Sequence, residues 1–288
     1  MKIWHTIPSM ILMALLSAGS VWAQRNASLA PNAALRYWSA FSEVQDSSIT
    51  DPQAKELNAI LDGTAPYDDS KYKDLLEKNT LALEIMTRGT SLPNCDWGLD
   101  YGLGQDVPVE YARKALVLGR LNVLYAFHLL KTGDKDGAVR ALTAGLRFSR
   151  DVANGGSLFA TLIAKDLLVS HLRAASHALH LEQLSATQRT RLQQAVTGLG
   201  PHGVDWQSAM KQEMGLLNKP PWQESVSLVR VTQAYLAAVD DPSRLSQLEQ
   251  LLLTVPQPLR DVIPGPKEVL AQKQELDEKL MQTRSPLQ

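Results

Sequence analysis

The chain reads as an all-α protein built from antiparallel helical hairpins, and three observations predict it. Aromatic residues are sparse at 6%, and no long Val/Ile/Thr alternation of the kind that writes strands is present. Apolar residues recur at helical spacing through long segments that begin with capping residues and end at Gly or Pro. Between two of the longest segments lies Lys131-Thr132-Gly133-Asp134-Lys135-Asp136-Gly137-Ala138-Val139-Arg140-Ala141-Leu142. A helix end, a Gly-Asp turn, and a new helix with small residues at close-packing positions spell a helical hairpin. With 288 residues and 44% hydrophobic content, the chain can bury a sizeable core.

The first elements concern destination rather than fold. Lys2 supplies a positive leader, residues 7–16 form a short apolar run, and Val21-Trp22-Ala23 offers a cleavage site after Ala23, leaving Gln24 as the mature start. Residues 1–23 are therefore expected to be a signal peptide and the mature chain to be exported, periplasmic or secreted. No later apolar run reaches the roughly 18 residues of a membrane span, so no transmembrane segment is expected in the mature chain. Cys95 is the sole cysteine, so no internal disulfide is available; a buried inert thiol and an intermolecular bond are the two readings.

Residues 32–44 predict a helix with Leu35, Trp38, Phe41 and Val44 on one face. Asp51-Pro52 opens a second, stopping at Asp62-Gly63. Asp68-Asp69 opens a longer one through Leu75, Leu76, Leu81, Leu83 and Ile85 to Arg88-Gly89. Residues 90–108 form an irregular loop with Pro93, Gly98, Gly102 and Gly104 and the aromatics Trp97 and Tyr101. Residues 109–131 are apolar on most sides, which marks a central helix. After the turn, Ala138, Val139, Leu142, Gly145, Leu146 and Phe148 make the return face. Asn154-Gly155-Gly156 breaks the chain before a helix over 158–181, and Ser185 caps one running to Val196. From Gly200, prolines punctuate short helical pieces, among them Pro201, Pro220, Pro221, Pro242, Pro256, Pro258, Pro264 and Pro266. A charged helix over 267–283 ends the chain, docking weakly or standing free. The expected organisation is thus 1–23 signal peptide, 24–200 helical-hairpin core domain, and 201–288 looser, Pro-punctuated region packing on that core.

Gly133-Asp134 at the turn, Ala138 four residues on, and Gly145-Leu146 in the second helix resemble a tetratricopeptide-type repeat. The resemblance covers about one repeat, some 30 residues. It implies paired helices that close tightly and a concave surface for partners. Asn122 stands where that repeat carries a large aromatic, and no second copy follows at the repeat period, so the array is not regular. Asp96-Trp97-Gly98, Tyr101-Gly102, Arg113, Arg120 and the hairpin together also resemble uncharacterised exported bacterial α-helical proteins, a likeness that brings a fold and a compartment but no activity.

Candidate chemistry is thin. Asp166, Ser170, Arg173 and His177 lie within about 60° of arc on one helix, with His180 near the same stripe. A Ser, a His and an Asp on one face suggest hydrolysis, but successive turns of one helix converge poorly on one atom. The alternative is a solvated face with an Asp166–Arg173 pair. His177 and His180 would need a third metal ligand such as Glu182 or Glu213, and no metal motif is present. Asp96, Asp100 and Asp106 do not fit a calcium loop. Trp97 and Tyr101 either cap the core or form a binding lip. Arg113 and Arg120, seven apart on an apolar helix, call for carboxylate partners, with Asp96, Asp100 or Glu84 available, or else an anionic ligand. Trp97, Tyr101, Arg113 and Arg120 are thus the candidate ligand- or partner-binding residues. No catalytic residue, metal site or cofactor is expected.

A net charge of −1 leaves no nucleic-acid footprint. The leading expectation is an exported interaction or scaffold protein whose partner is another envelope protein. The alternatives are an envelope enzyme or small-ligand binder with a site between helices, at the Asp166/Ser170/His177 stripe or the Trp97–Tyr101 loop, and a purely structural envelope protein.

Overall fold

A computed structural model describes residues 31–45, 51–106, 109–180, 184–218 and 225–284. The signal-peptide reading, Glu182, Pro220 and Pro221 lie outside them. Among the described residues there are thirteen α-helices and no named strand. In chain order they are α1 Ala33–Glu43, α2 Asp51–Leu61, α3 Asp69–Lys78, α4 Thr80–Gly89, α5 Glu110–Thr132, α6 Lys135–Ala153, α7 Leu158–His180, α8 Ala186–Thr197, α9 Trp206–Leu216, α10 Val226–Asp240, α11 Leu245–Leu253, α12 Gln257–Arg260 and α13 Pro266–Arg284. The all-α class is as the periodicity predicts. No described helix is long and apolar enough to cross a membrane.

The centre is the trio α5, α6 and α7, each packed on the other two. α5 is buried almost all round, from Tyr111 to Leu129. Gly133 ends it with φ 89°, a left-handed conformation that favours glycine. Asp134 then caps α6, its carboxylate accepting the Gly137 amide at 2.8 Å. Two glycines set how closely the trio packs. A Cβ on Gly119 would lie 2.5 Å from Leu167, and one on Gly145 would lie 2.2 Å from the His171 ring and 2.4 Å from Asn122. The other helices dress this trio: α1 packs on α4, α3 on α5, α8 on α6, and α13 on α7 and α8.

Three local expectations are corrected. The helix predicted over 69–88 breaks at Asn79. That side chain is fully buried; its Oδ1 accepts Gln45 N at 2.8 Å while Nδ2 donates to Gln45 O at 2.9 Å and Leu75 O at 2.8 Å. A short amide that bonds backbone competes with helix continuation. The buried face of α1 is Ala33, Ala34, Tyr37, Ala40 and Phe41, whereas Leu35 and Trp38 are exposed. The small and flat residues win because α4 comes close: a Cβ on Gly89 would meet the Tyr37 ring at 2.7 Å. Finally, α13 neither docks weakly nor stands free. Val269, Leu270, Leu276 and Leu280 are buried, and Lys165 of α7, its side chain only 4% exposed, bonds Glu275, donates to Gln272 Oε1 at 2.6 Å, and pairs with Asp166 at 3.3 Å.

Candidate functional site

Residues 90–106 close one end of the core. Trp97 is 6% exposed; its ring stacks on Tyr111 with centroids 4.1 Å apart and lies nearly parallel to Phe41 at 6.1 Å. Its Nε1 donates to Asp151 O at 2.8 Å. Trp97 is therefore core rather than lip. Tyr101 is half-buried in the short 3₁₀ turn that follows, and burial, with the nearby Glu213 carboxylate adding, raises its hydroxyl's pKa. Glu213 accepts the Leu158 amide at 3.3 Å and so serves the start of α7; burial raises its pKa too. Beneath the plug, the fully buried Asp151 accepts Tyr37 OH at 2.7 Å and pairs with Arg147 Nε at 3.0 Å. Burial, reinforced by Asp151, pushes the Cys95 thiol far above its usual range, which keeps it protonated and poorly nucleophilic.

Arg113 and Arg120 do not find the carboxylates the sequence suggests. Asp96 and Asp100 fold their own loop, accepting the amides of Gly98 at 2.9 Å and Gly102 at 2.8 Å. Glu84 pairs with Arg88 at 3.2 Å. α5 and α7 run parallel, so the two arginines meet successive turns of α7 instead. Arg113 is exposed, its guanidinium 5.8 Å from the Phe159 ring centroid. Arg120 enters a cleft.

That cleft, about 330 Å³, lies along the α5–α7 seam and is closed by α2 and α13. Leu57, Leu116, Leu167 and Val169 give it apolar walls; Asn58, Asp62, Arg120, Asp166, Ser170, Arg173 and Glu275 line it with polar groups. Arg173 pairs with Asp62 at 3.0 Å, and Lys165 takes up Asp166 and Glu275. The expected Asp166–Arg173 pair thus gives way to partners on α2 and α13. Arg120 has no carboxylate or hydrogen-bond partner for its side chain among the described residues.

The hydrolytic arrangement does not assemble. Ser170 Oγ donates to the Asp166 carbonyl at 2.9 Å. His177, seven residues and so about 10 Å further along the axis, packs its ring 5.4 Å from Phe127. Its pKa is lowered by burial and then by His180, while His180 Nδ1 bonds the Ser176 carbonyl at 2.7 Å. A buried cluster with catalytic residue types does exist elsewhere: Asn122, Ser149 and His171, all fully buried. His171 Nδ1 lies 2.8 Å from Leu167 O and can bond it only by carrying the proton. Nε2 then accepts from Asn122 Nδ2 at 3.1 Å, and Ser149 gives its own proton to Gly145 O at 2.7 Å. His171 Nδ1 also lies 3.1 Å from Ser149 Oγ, but because it carries the proton it cannot act as the serine's base, and both residues are fully buried. This cluster was legible only as Asn122 replacing an aromatic; nothing in the spacing of 122, 149 and 171 places them together.

A second concavity, about 580 Å³, lies between α4, α6 and α8. Its lining includes Val139, Ala144 and Ala195, the hydroxyls of Thr87, Thr90 and Thr143, and Arg140 and Arg191, with no Asp or Glu. It continues past Thr87 and Arg140 into a smaller hollow of about 350 Å³ beside Tyr125, Leu129 and Ala141, which Glu84, Arg88 and Asp134 also line. Arg140 and Arg191 are exposed and make no ion pair among the described residues. The sequence reading missed this groove because Arg140 and Arg191 are 51 positions apart and neither stands in a motif.

No known family model, curated protein or solved structure matches this chain. The functional reading therefore rests on these two surfaces.

Proposed function

We propose that this is an exported, non-catalytic helical interaction protein that holds an acidic segment of an envelope partner in the groove between α4, α6 and α8. One observation carries the reading: the larger concavity presents two unpaired arginines over a floor of small side chains and is lined by no carboxylate, those of Glu84 and Asp134 lying in the adjoining hollow. Arg forks recognise carboxylates through paired N–H donors, and flanking Thr hydroxyls and the Gln194 amide extend that to the backbone of a bound segment. Val139, Ala144 and Ala195 leave room for a chain to lie close to α6, and the small apolar floor supplies the burial that charge alone does not. The leader segment supports placement of that partner in the envelope.

The test is fluorescence anisotropy with short labelled peptides rich in Asp and Glu, against Asn/Gln peptides of equal length. Acidic peptides bind saturably, and binding weakens as salt rises through the screening range. The double variant Arg140→Glu/Arg191→Glu weakens it by at least about tenfold, or about 1.4 kcal/mol. Equal binding of acidic and neutral peptides, or indifference to the double variant, would sink the proposal. Because both arginines are exposed, the variant's thermal unfolding matches that of the parent.

A further inference from the structure

The cleft along the α5–α7 seam carries a separate inference that does not rest on the groove. We propose that it is a binding site for a small hydrophilic zwitterion, an amino-acid- or dipeptide-like molecule, with its carboxylate on Arg120 and its ammonium toward Asp62 and Asp166.

The argument begins with what the cleft's own charges do to one another. Lys165 and Arg173 are both engaged, the first with Glu275 and Asp166 and the second with Asp62. These pairs hold the walls formed by α2, α7 and α13 around the opening. Arg120 is the cation left over, half-buried at the α5 side. A guanidinium removed from bulk water without an anion loses solvation and regains it when a carboxylate docks on its paired N–H donors. Asn58 on α2 and Ser170 on α7 stand beside it; the Asn58 amide has no side-chain partner among the described residues. The Asn58 amide can donate to a carboxylate oxygen, and Ser170 Oγ, whose proton goes to the Asp166 carbonyl, can accept from a ligand's N–H or O–H.

The surrounding signs set the ligand's charge. Three carboxylates, Asp62, Asp166 and Glu275, ring the same space as Arg120. A dianion such as inorganic phosphate would gain Arg120 but face all three, and like charges at close range oppose binding. A purely cationic ligand would face Arg120 and Arg173. A molecule with one negative and one positive end satisfies both, the ammonium gaining the solvent-facing oxygens of Asp62 and Asp166, whose side chains are 50% and 59% exposed. A volume of about 330 Å³ lies at the small end of ligand pockets and suits a compact molecule. The apolar walls from Leu57, Leu116, Leu167 and Val169 accommodate its aliphatic part.

Isothermal titration with L-alanine, L-glutamine and L-alanyl-L-glutamine tests this on the full mature chain. L-Alaninamide lacks the carboxylate, N-acetyl-L-alanine lacks the ammonium, and inorganic phosphate is the dianion control. At least one zwitterion binds saturably, and its amide and N-acetyl forms bind at least about tenfold more weakly. Arg120→Gln abolishes binding, and Asn58→Ala, on the exposed side of α2, weakens it without disturbing the far-ultraviolet circular dichroism. Arg140→Glu/Arg191→Glu leaves it unchanged, so failure here and failure of the groove reading are told apart. No saturable heat from any zwitterion, binding indifferent to both Arg120→Gln and Asn58→Ala, or phosphate binding as tightly as the zwitterion each overturns the proposal.

Discussion

Buried without a carboxylate in contact, His171 has a pKa that desolvation lowers to about 4. Its neutral ring donates to Leu167 O and accepts from Asn122. Because the unfolded chain protonates near 6.5 and the native chain near 4, the unfolded state binds more protons between those values, and stability falls as pH drops through that window. The loss from this one group is about 3 kcal/mol in all. Urea unfolding from pH 7 to pH 4 measures it; in His171→Leu the decline is shallower by about that amount, and an identical slope would contradict the assignment. Nitrogen-15 NMR of the imidazoles gives an independent reading, with the Nδ1–H tautomer persisting to about pH 4. Gly145 is the residue that makes space for this cluster. A methyl there would sit 2.2 Å from the His171 ring, which is itself held at both nitrogens and cannot yield. Gly145→Ala therefore costs about 3 kcal/mol, at the upper end of overpacking, readable as a lower urea midpoint. Asn122 and Gly145 both stood out in the sequence as a missing aromatic and a small residue, but that one explains the other, with an aromatic having no room against His171, required the third helix.

Elements were legible where local chemistry acts alone. The Gly133 stop, the Asp134 cap and the Ser185 cap with its reciprocal Gln188 bonds follow from residues within a turn or two of themselves. Elements whose fate depends on a distant partner were not. The break between α3 and α4 is made by Asn79 reaching the backbone of Gln45, 34 positions away. The rotation of α1 is dictated by how closely α4 approaches. The docking of α13 depends on Lys165, which in sequence is one of three charged residues, with Asp166 and Arg173, on a largely apolar helix. That contact gives a double-mutant prediction. Glu275→Ala leaves the buried ammonium with Asp166 and Gln272 only, and since Glu275 is 46% exposed, solvent discounts the cost to about 1–2 kcal/mol. Lys165→Met removes the buried charge and fills its space, and in that background Glu275→Ala costs almost nothing. Hydrogen exchange of the α13 amides reports both: faster exchange in Glu275→Ala alone, near-parental exchange in the pair. Additive losses would mean the ion pair does not hold the helix.

Across the whole molecule, the three central helices create two concavities that share no lining residue. One belongs to the outer face of α6, the other to the seam where α5 and α7 run side by side. Of the four candidate binding residues read from the sequence, only Arg120 lines either of these two concavities; Trp97 lies inside the core, Tyr101 is half-buried beside Glu213, and Arg113 lies over Phe159. Asp166, Ser170 and Arg173 do gather in the cleft, with groups from α2 and α13 that no spacing rule could have supplied, while His177 does not. By itself the sequence determined the helical class, the central position of the 109–131 segment and the hairpin turn, because hydrophobic period, caps and glycine conformations act over a few residues. Tertiary structure alone decided which charges are paired and which are left over. The sequence marks Arg120 as needing a partner but not as lacking one, and Arg140 and Arg191 are indistinguishable from any other helix-surface arginine until packing assigns the carboxylates, because an ion pair joins residues far apart in the chain and its absence is a property of the assembled surface.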